Sequence, residues 1–367
     1  MKWKPMIAIT GVLLLFILCP VPAHAADMEE QLWDAVDTEA LEDAAGEDNS
    51  FSLDSELNLE EGLSALAERA VEQLEGALKG AVRSGGLMLL IVLFCGMGES
   101  LFQSGQNAMT RTADMIGVAA ITLIAASDTA SMIGLGKEAI DQIDAFSKAL
   151  IPTMSAASMA CGSISGSVVR QAATLLFSDV LITLINRVLI PAVYVYIAVT
   201  AATAALGNKG IAAIAGLMRR GVKGVMTAIL LIFTGYLSIS GAAAGTADAV
   251  TLKTTRLAIS SMVPVVGSIL SDATETVLVG AASIRNVIGI FGTLVVLGFC
   301  IVPFLYLGAQ YLVYKVISVL ASVLYQGTIS ELIDQIGAAF GLVLGMLGSC
   351  ALLVLISLIG TISVAVS

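Results

Sequence analysis

The sequence predicts an all-α, polytopic membrane protein with about seven transmembrane helices and some re-entrant or interfacial segments. Three observations carry that prediction. The chain has 367 residues, 57% of them are hydrophobic, and long apolar runs recur along it. Only 13% of the residues are charged, whereas a soluble protein carries about 25%. A crossing helix needs about 20 consecutive, mainly apolar residues, so this composition excludes a single soluble domain and global disorder.

The first 25 residues are typical of a cleavable secretory signal peptide. Lys2 and Lys4 give a positive start, Met6 to Leu18 form an apolar core, and cleavage is expected after Ala25. Such cleavage leaves the mature N-terminus on the extracytoplasmic side. An uncleaved first anchor is the alternative.

Residues 26–80 are predicted to form an acidic, extracytoplasmic helical segment. Seventeen Asp and Glu residues lie between positions 27 and 80, against two basic residues. Asn58 is a candidate N-cap for a helix whose apolar stripe comprises Leu59, Leu63, Leu66, Ala70, Leu74 and Leu78. Because its other side is acidic, we expect this helix to lie on protein rather than on an anionic lipid surface.

Residues 81–367 are predicted to form the transmembrane domain. Its spans are placed at about Ser84–Phe102, Met115–Ile133, Val188–Leu206, Val225–Gly245, Val287–Leu305, Leu307–Tyr325 and Ala338–Ile362. Residues 137–150 are amphipathic and stop at Pro152, so they are expected to lie at the membrane interface. Residues 171–186 are left open as a half-span, a packed helix or a full crossing.

The segment 261–280 is predicted to be a re-entrant or broken helix. Pro264 and Gly267 interrupt an apolar stretch, and Asp272 and Glu275 share a helix face. Irregular backbone at membrane depth occurs where it is buried in protein or lines a cavity. The segment is therefore either a lining element or an ordinary interfacial loop.

Charged residues within or beside the apolar stretches are the candidate core or pathway residues. On insertion scales a charge at the centre of a membrane helix costs about 2.5–3.5 kcal/mol. Such side chains should therefore face the interior, pair with one another or meet water. They either form a polar pathway or make structural pairs. The candidates are Asp128, Asp179, Arg187, Asp272, Glu275, Arg285 and Lys315.

An extracytoplasmic N-terminus fixes the expected orientation of the later loops. The basic segment from Lys209 to Lys223 then falls in the cytoplasm, as the positive-inside rule requires. The loop carrying Glu331 and Asp334 is expected outside, and the C-terminus inside.

The sequence does not predict an enzyme. Its one histidine, His24, lies in the expected signal peptide, which removes histidine-based catalysis and His-ligated zinc. No P-loop, dinucleotide fingerprint or H-E-x-x-H motif is present. The sequence therefore predicts no cofactor and no metal, and the absence of a basic tail or patch argues against nucleic acid.

The stretch RLAISSMVPVVGSILSDATETVLVGAASIRNVIGIFG, residues 256–292, resembles the signature of the stage III sporulation protein AE family. The signal peptide, acidic segment and long apolar body match that family in layout. The resemblance implies an integral membrane component of a channel or secretion-like complex that links mother cell and forespore and supports forespore development. It implies a location in the outer forespore membrane and, as partners, the other stage III A proteins and SpoIIQ. The family offers no established catalytic residues.

Two other functions stay open at this point. One is a proton-coupled secondary transporter of a small solute, for which paired broken helices in two related halves would be expected. The other is a purely structural membrane scaffold. A homo-oligomer is compatible with each of these readings.

Overall fold

The computed structural model describes residues 38–46, 51–53, 58–101, 107–160, 164–262, 267–325 and 328–363, and within them all regular structure is helical. The predicted signal peptide lies outside these residues. The helices are α1 (Thr38–Ala45), α2 (Leu59–Leu101), α3 (Asn107–Ala160), α4 (Ile164–Leu184), α5 (Ile190–Leu206), α6 (Lys209–Met262), α7 (Gly267–Leu324) and α8 (Thr328–Ser363). A single π-helical turn, Ile185–Leu189, joins α4 to α5.

Local sequence signals fix several of these helix ends. The side-chain oxygen of Asn58 accepts a hydrogen bond from the backbone of Glu60 at 3.1 Å, which caps α2 as predicted. Gly207 ends α5 with φ 67°, a left-handed conformation that glycine adopts without steric cost. Asn208 then caps α6 by accepting from the backbone of Gly210 at 2.8 Å.

Within the described residues, the helices make six passes along the bundle, with α4, the π turn and α5 forming one pass. Side-chain contacts fix the directions of α3 and α8. Asp128 on α3 lies level with Tyr314 on α7, and Leu150, further along α3, lies level with Gly292, which comes earlier in α7. These two helices are therefore antiparallel. On α8, Gly337 also faces Tyr314 and therefore lies level with Asp128.

The remaining passes alternate in the same way. Helix α2 runs parallel to α7, because Gly76 faces Tyr306 and Gly96 faces Leu324. Tyr196 on α5 donates to the backbone of Gln335 on α8. Because the number of passes is even, the last residues of α8 lie at the same end of the bundle as the first residues of α2.

Helix α7 is the centre of the bundle and packs most extensively against α8, α2 and α3. Phe291 and Val295 are buried, and the ring of Phe146 on α3 meets the rings of Phe291 and Phe299 at 6.2 and 5.9 Å. Cys300 and Cys350 are buried in the same core and are not in disulfides, so they pack there as small apolar side chains.

Five helical stretches in the described residues are long and apolar enough to cross a membrane, by length and composition. They are Leu59–Gly98, Met115–Met159, Ala172–Leu206, Ala282–Leu324 and Thr328–Leu358. This result agrees with a multi-pass membrane protein. The number of seven crossings stays a prediction.

Two predicted spans, Val287–Leu305 and Leu307–Tyr325, lie in one unbroken helix, α7. The predicted break between them is therefore wrong. Both stretches are apolar because α7 is the central helix and is covered by its neighbours. As a result, Glu331 and Asp334, which the sequence predicts in a loop and which lie in the first turns of α8, are at the same end of the bundle as the basic segment that begins at Lys209, not at the opposite end as expected.

The segment 137–150 does not form a separate interfacial helix, because it continues α3. Its apolar residues Ile140, Ile143 and Phe146 are buried in the core. The prediction that Pro152 stops the helix is also wrong, since α3 runs on to Ala160. Proline removes one backbone donor, but tertiary packing of the apolar face keeps the helix intact.

In the structure, residues 171–186 form the first part of one long pass through the bundle. They lie in α4 and the π turn, which lead directly into α5. The predicted boundary at residue 80 falls inside α2, which continues without a break from the acidic segment into the apolar one.

Candidate functional site

A polar cluster around Asp128 joins three helices in the interior of the bundle. Helix α3 supplies Asp128, α2 supplies Ser84, and α7 supplies Gln310 and Tyr314 one turn apart. The Tyr314 hydroxyl and the Gln310 amide each donate to Asp128 Oδ2 at 2.7 Å. The same Gln310 amide nitrogen donates to Ser84 Oγ at 3.1 Å.

The members of this Asp128 cluster supply hydrogen-bond partners to one another inside the bundle. Ser84, Gln310 and Tyr314 are buried, and Asp128 is half-buried. A buried carboxylate is costly unless hydrogen bonds replace its water, and a hydrogen bond to a charged group contributes about 1.5–3 kcal/mol. The predicted intramembrane charge therefore faces the interior, and neutral donors rather than a cation contact it.

A second polar cluster connects α7 to α8 and α5. Lys315 Nζ donates to Asp334 Oδ1 and lies 5.9 Å from the centre of the Tyr311 ring. The next residue, Gln335, accepts a hydrogen bond at its backbone oxygen from the Tyr196 hydroxyl at 3.0 Å. Lys315 is thus paired with the next helix, and the neighbouring Tyr196–Gln335 hydrogen bond adds α5 to this connection.

A third polar group lies between α3 and the π turn. Asn186 in the π turn donates to Asp141 Oδ1 at 2.9 Å, and Lys137 donates to the other oxygen of Asp141 at 3.1 Å. One turn on, Lys148 and Asp144 form an ion pair at 2.8 Å. These α3 pairs are exposed or half-exposed, so each is expected to contribute no more than about 1 kcal/mol.

Among the described residues, no hydrogen bond or ion pair joins the other predicted residues to these clusters, although Asp179 lies within electrostatic range of Lys148. Asp179 and Arg187 are exposed on α4 and the π turn. Arg285 on α7 is 2% exposed, and its Nε atom has no hydrogen-bond partner among the described residues. Gly267 is the first residue of α7. Pro264 and the side chains of Asp272 and Glu275 lie outside the described residues.

Glycines bring α7 and α8 into close contact. A Cβ atom at Gly337 would stand 2.9 Å from Cβ of Tyr314, and one at Gly341 would stand 3.2 Å from the ring of Tyr311. These two glycines form a G-x-x-x-G pair, the spacing at which small residues let helices approach. The close approach places Tyr314 where its hydroxyl reaches Asp128.

Sequence reasoning found Asp128 and Lys315 but missed their partners. Gln310 and Tyr314 are four residues apart in an apolar helix, a spacing that puts both on one face. That spacing was the available signal, but their shared partner on α3 follows only from the three-dimensional arrangement. In the part of the chain that the structure describes, no three His, Cys, Asp or Glu side chains group in a way that could hold a metal ion.

Comparisons with known proteins place the chain in a family. A family model described as stage III sporulation protein AE matches residues 54–366. Stage III sporulation protein AE of Bacillus subtilis (strain 168) is 24% identical over 276 residues, which cover 74% of this chain and 69% of the relative. No solved structure matches the chain. Because the family model matches far more than half of its residues, the chain belongs to the stage III sporulation protein AE family.

Proposed function

We propose that this protein is a non-enzymatic, integral membrane component of the sporulation complex that links mother cell and forespore and supports forespore development. The family match over residues 54–366 carries the proposal, because it covers the whole helical body rather than a single motif. The five apolar helical stretches support a multi-pass location in a membrane.

Within that complex, we propose that the polar clusters hold the bundle together. Asp128 receives hydrogen bonds from Gln310 and Tyr314 on another helix, and Lys315 pairs with Asp334. Side chains that form hydrogen bonds or ion pairs with a neighbouring helix in this way hold the passes together. This role suits a rigid subunit of an assembly, whereas a transporter would need such contacts to break in each cycle.

The proposed location and partners follow from the family resemblance. The protein would lie in the outer forespore membrane, with residues 26–80 on the extracytoplasmic side. Its partners would be the other stage III A proteins and SpoIIQ. The acidic first half of α2 supports a protein-facing role for this segment, because its glutamates are unfavourable in lipid.

The test is deletion of the gene in the spore-forming host, followed by complementation with the wild-type chain. The proposal expects forespores that are engulfed but fail to develop and do not switch on a late forespore reporter. Normal spores from the deletion strain would contradict it.

A parallel measurement separates the complex component from a transporter. The purified protein is placed in liposomes, and uptake of small solutes is followed with and without a proton gradient. Solute-specific, gradient-driven uptake by the protein alone would contradict the proposed role, and it would favour the transporter.

A further inference from the structure

The first half of α2 carries an apolar face that the bundle does not cover. Leu63, Val71, Leu74, Leu78 and Val82 are spaced along one side of the helix and are 39–70% exposed. We call these five residues the α2 seam. At 1.5 Å per residue the seam is about 28 Å long, which is the length of a typical helix–helix contact.

The bundle contacts a different side of α2. Leu66, Ala77 and Ala81 are buried, and Gly76 faces Tyr306 of α7. The predicted leucine stripe is therefore divided, because Leu66 is buried against α7 whereas Leu63, Leu74 and Leu78 stay exposed beside the contact. The seam thus forms a second, unoccupied apolar side of α2.

Acidic side chains border the seam and decide against lipid as its occupant. Glu68, Glu72 and Glu75 are exposed on the adjoining side of the helix, and Glu60 and Glu61 precede them. Lys79 lies at the far end of this border. Ionised carboxylates are expensive in hydrocarbon, and an acidic surface is repelled by anionic headgroups.

The same charges decide against a second copy of this protein. Two copies in one membrane hold their α2 helices parallel, so a symmetric contact would set Glu68 and Glu75 against their own counterparts. The basic residues of α6 whose side chains the structure describes are Arg219, Arg220 and Lys223, and they lie in its first half, towards the opposite end of the bundle. The chain's own residues 27–57 are also acidic, so they are repelled as well.

We infer that the α2 seam is the docking site for a basic amphipathic helix of a partner protein. Apolar residues of that helix would pack on Val71, Leu74 and Leu78, and its Lys and Arg side chains would meet the glutamate border. The pairing follows the helix-in-groove mode, in which apolar anchors give affinity and flanking charges give specificity. The inference holds whichever machinery the protein serves.

The test uses the full-length protein in nanodiscs of neutral phosphatidylcholine. A fluorescent 21-residue peptide with leucines at helical spacing and lysines on its flanks is the probe, and binding is measured by fluorescence anisotropy. A second peptide carries glutamate in place of each lysine, and empty nanodiscs give the background. We expect the basic peptide to bind, to bind more weakly as salt rises, and to exceed the acidic peptide by at least about tenfold in affinity.

Matched variants locate the binding site. Val71→Ser and Glu68→Lys should each weaken binding of the basic peptide by about tenfold. Val316→Ser changes an exposed valine on α7, Glu138→Lys changes an exposed glutamate on α3, and neither should alter binding. Since all four positions are exposed, the variants are expected to fold, and an unchanged melting temperature verifies this.

Several results would overturn the inference. One is equal binding of the basic and acidic peptides, and another is full binding by both Val71→Ser and Glu68→Lys. A disulfide-linked dimer formed through Val71→Cys would show that a second copy occupies the seam. Binding to phosphatidylglycerol vesicles that Val71→Ser abolishes would show that lipid does.

Discussion

Asp128 shows how a single charged residue can be held inside an apolar bundle. Its carboxylate has no cation partner among the described residues, and the donors are a phenol and an amide from α7. Such a group is stabilised only while both donors stay in place. The arrangement therefore makes the positions of Gln310 and Tyr314 as important as the charge itself.

Asp128→Asn is expected to destabilise the protein by about 1–3 kcal/mol, because an amide is a weaker acceptor and brings donors without partners. Tyr314→Phe removes one donor and should cost a similar amount. Melting temperatures of the purified protein in detergent measure both, and Glu138→Gln on the exposed side of α3 is the control. Since the residues share one hydrogen bond, the double variant should lose less than the sum. If the stability losses of the two single variants simply add in the double variant, direct contact between Asp128 and Tyr314 is contradicted.

Lys315 and Asp334 provide a second test at the same scale. Lys315→Asp and Asp334→Lys each place like charges beside one another, so each should lower stability and the yield of folded protein. The double variant restores opposite charges and should recover much of the loss. The pair is partly exposed, and its coupling is therefore expected to be only about 1 kcal/mol. No recovery in the double variant would contradict the pairing.

Between α7 and α8, the important feature is the close approach at glycine. Gly337→Ala puts a methyl group 2.9 Å from Cβ of Tyr314, and this atom cannot move without shifting the α7 backbone. We expect a loss of about 1–3 kcal/mol, as for other overpacked cores. The matched control is Gly80→Ala, where a Cβ would meet nothing within 4 Å. That variant should be neutral or gain up to about 1 kcal/mol from helix propensity, and equal melting temperatures for the two would argue against the α7–α8 contact.

Hydropathy located the apolar helices but could not show where each one ends. The signals that predict helix ends correctly are local, such as the cap at Asn58. The sequence predicts two spans for the two halves of α7 because burial in protein and burial in lipid select the same residues. It predicts an interfacial location for the amphipathic part of α3 for a related reason, since a protein core and a headgroup layer both match one apolar face.

The partners of the candidate site could not be predicted for a different reason. Asp128 and Tyr314 are far apart in sequence, and nothing local to either residue specifies the other. The charge was visible because it is costly in an apolar stretch. Neutral donors such as Gln310 carry a smaller cost and therefore gave a weaker signal.

At the scale of the whole molecule, the six passes predict that both ends of the helical body face one compartment. The basic residues Arg219, Arg220 and Lys223 lie in the first half of α6, near the end where α5 meets α6, and the positive-inside rule puts that end in the cytoplasm. Alkaline phosphatase fused after the last residue should therefore be active, and green fluorescent protein inserted at Asn208 should fluoresce. This outcome differs from the cytoplasmic C-terminus that hydropathy predicted. An inactive phosphatase fusion, with fluorescence from a C-terminal fluorescent protein, would contradict the six-pass arrangement.

The π-helical turn between α4 and α5 has a consequence for how this chain tolerates changes in length. The backbone N–H of Ile190 reaches the oxygen of Ile185, so the turn holds one residue more than an α-helical turn would. Loss of one residue between Ile185 and Leu189 would leave an ordinary helix, with Val193 and Leu181 still directed into the core. The same loss in the middle of either helix would rotate everything beyond it by about 100°. Relatives that lack one residue should therefore lack it here, together with the Asn186–Asp141 hydrogen bond.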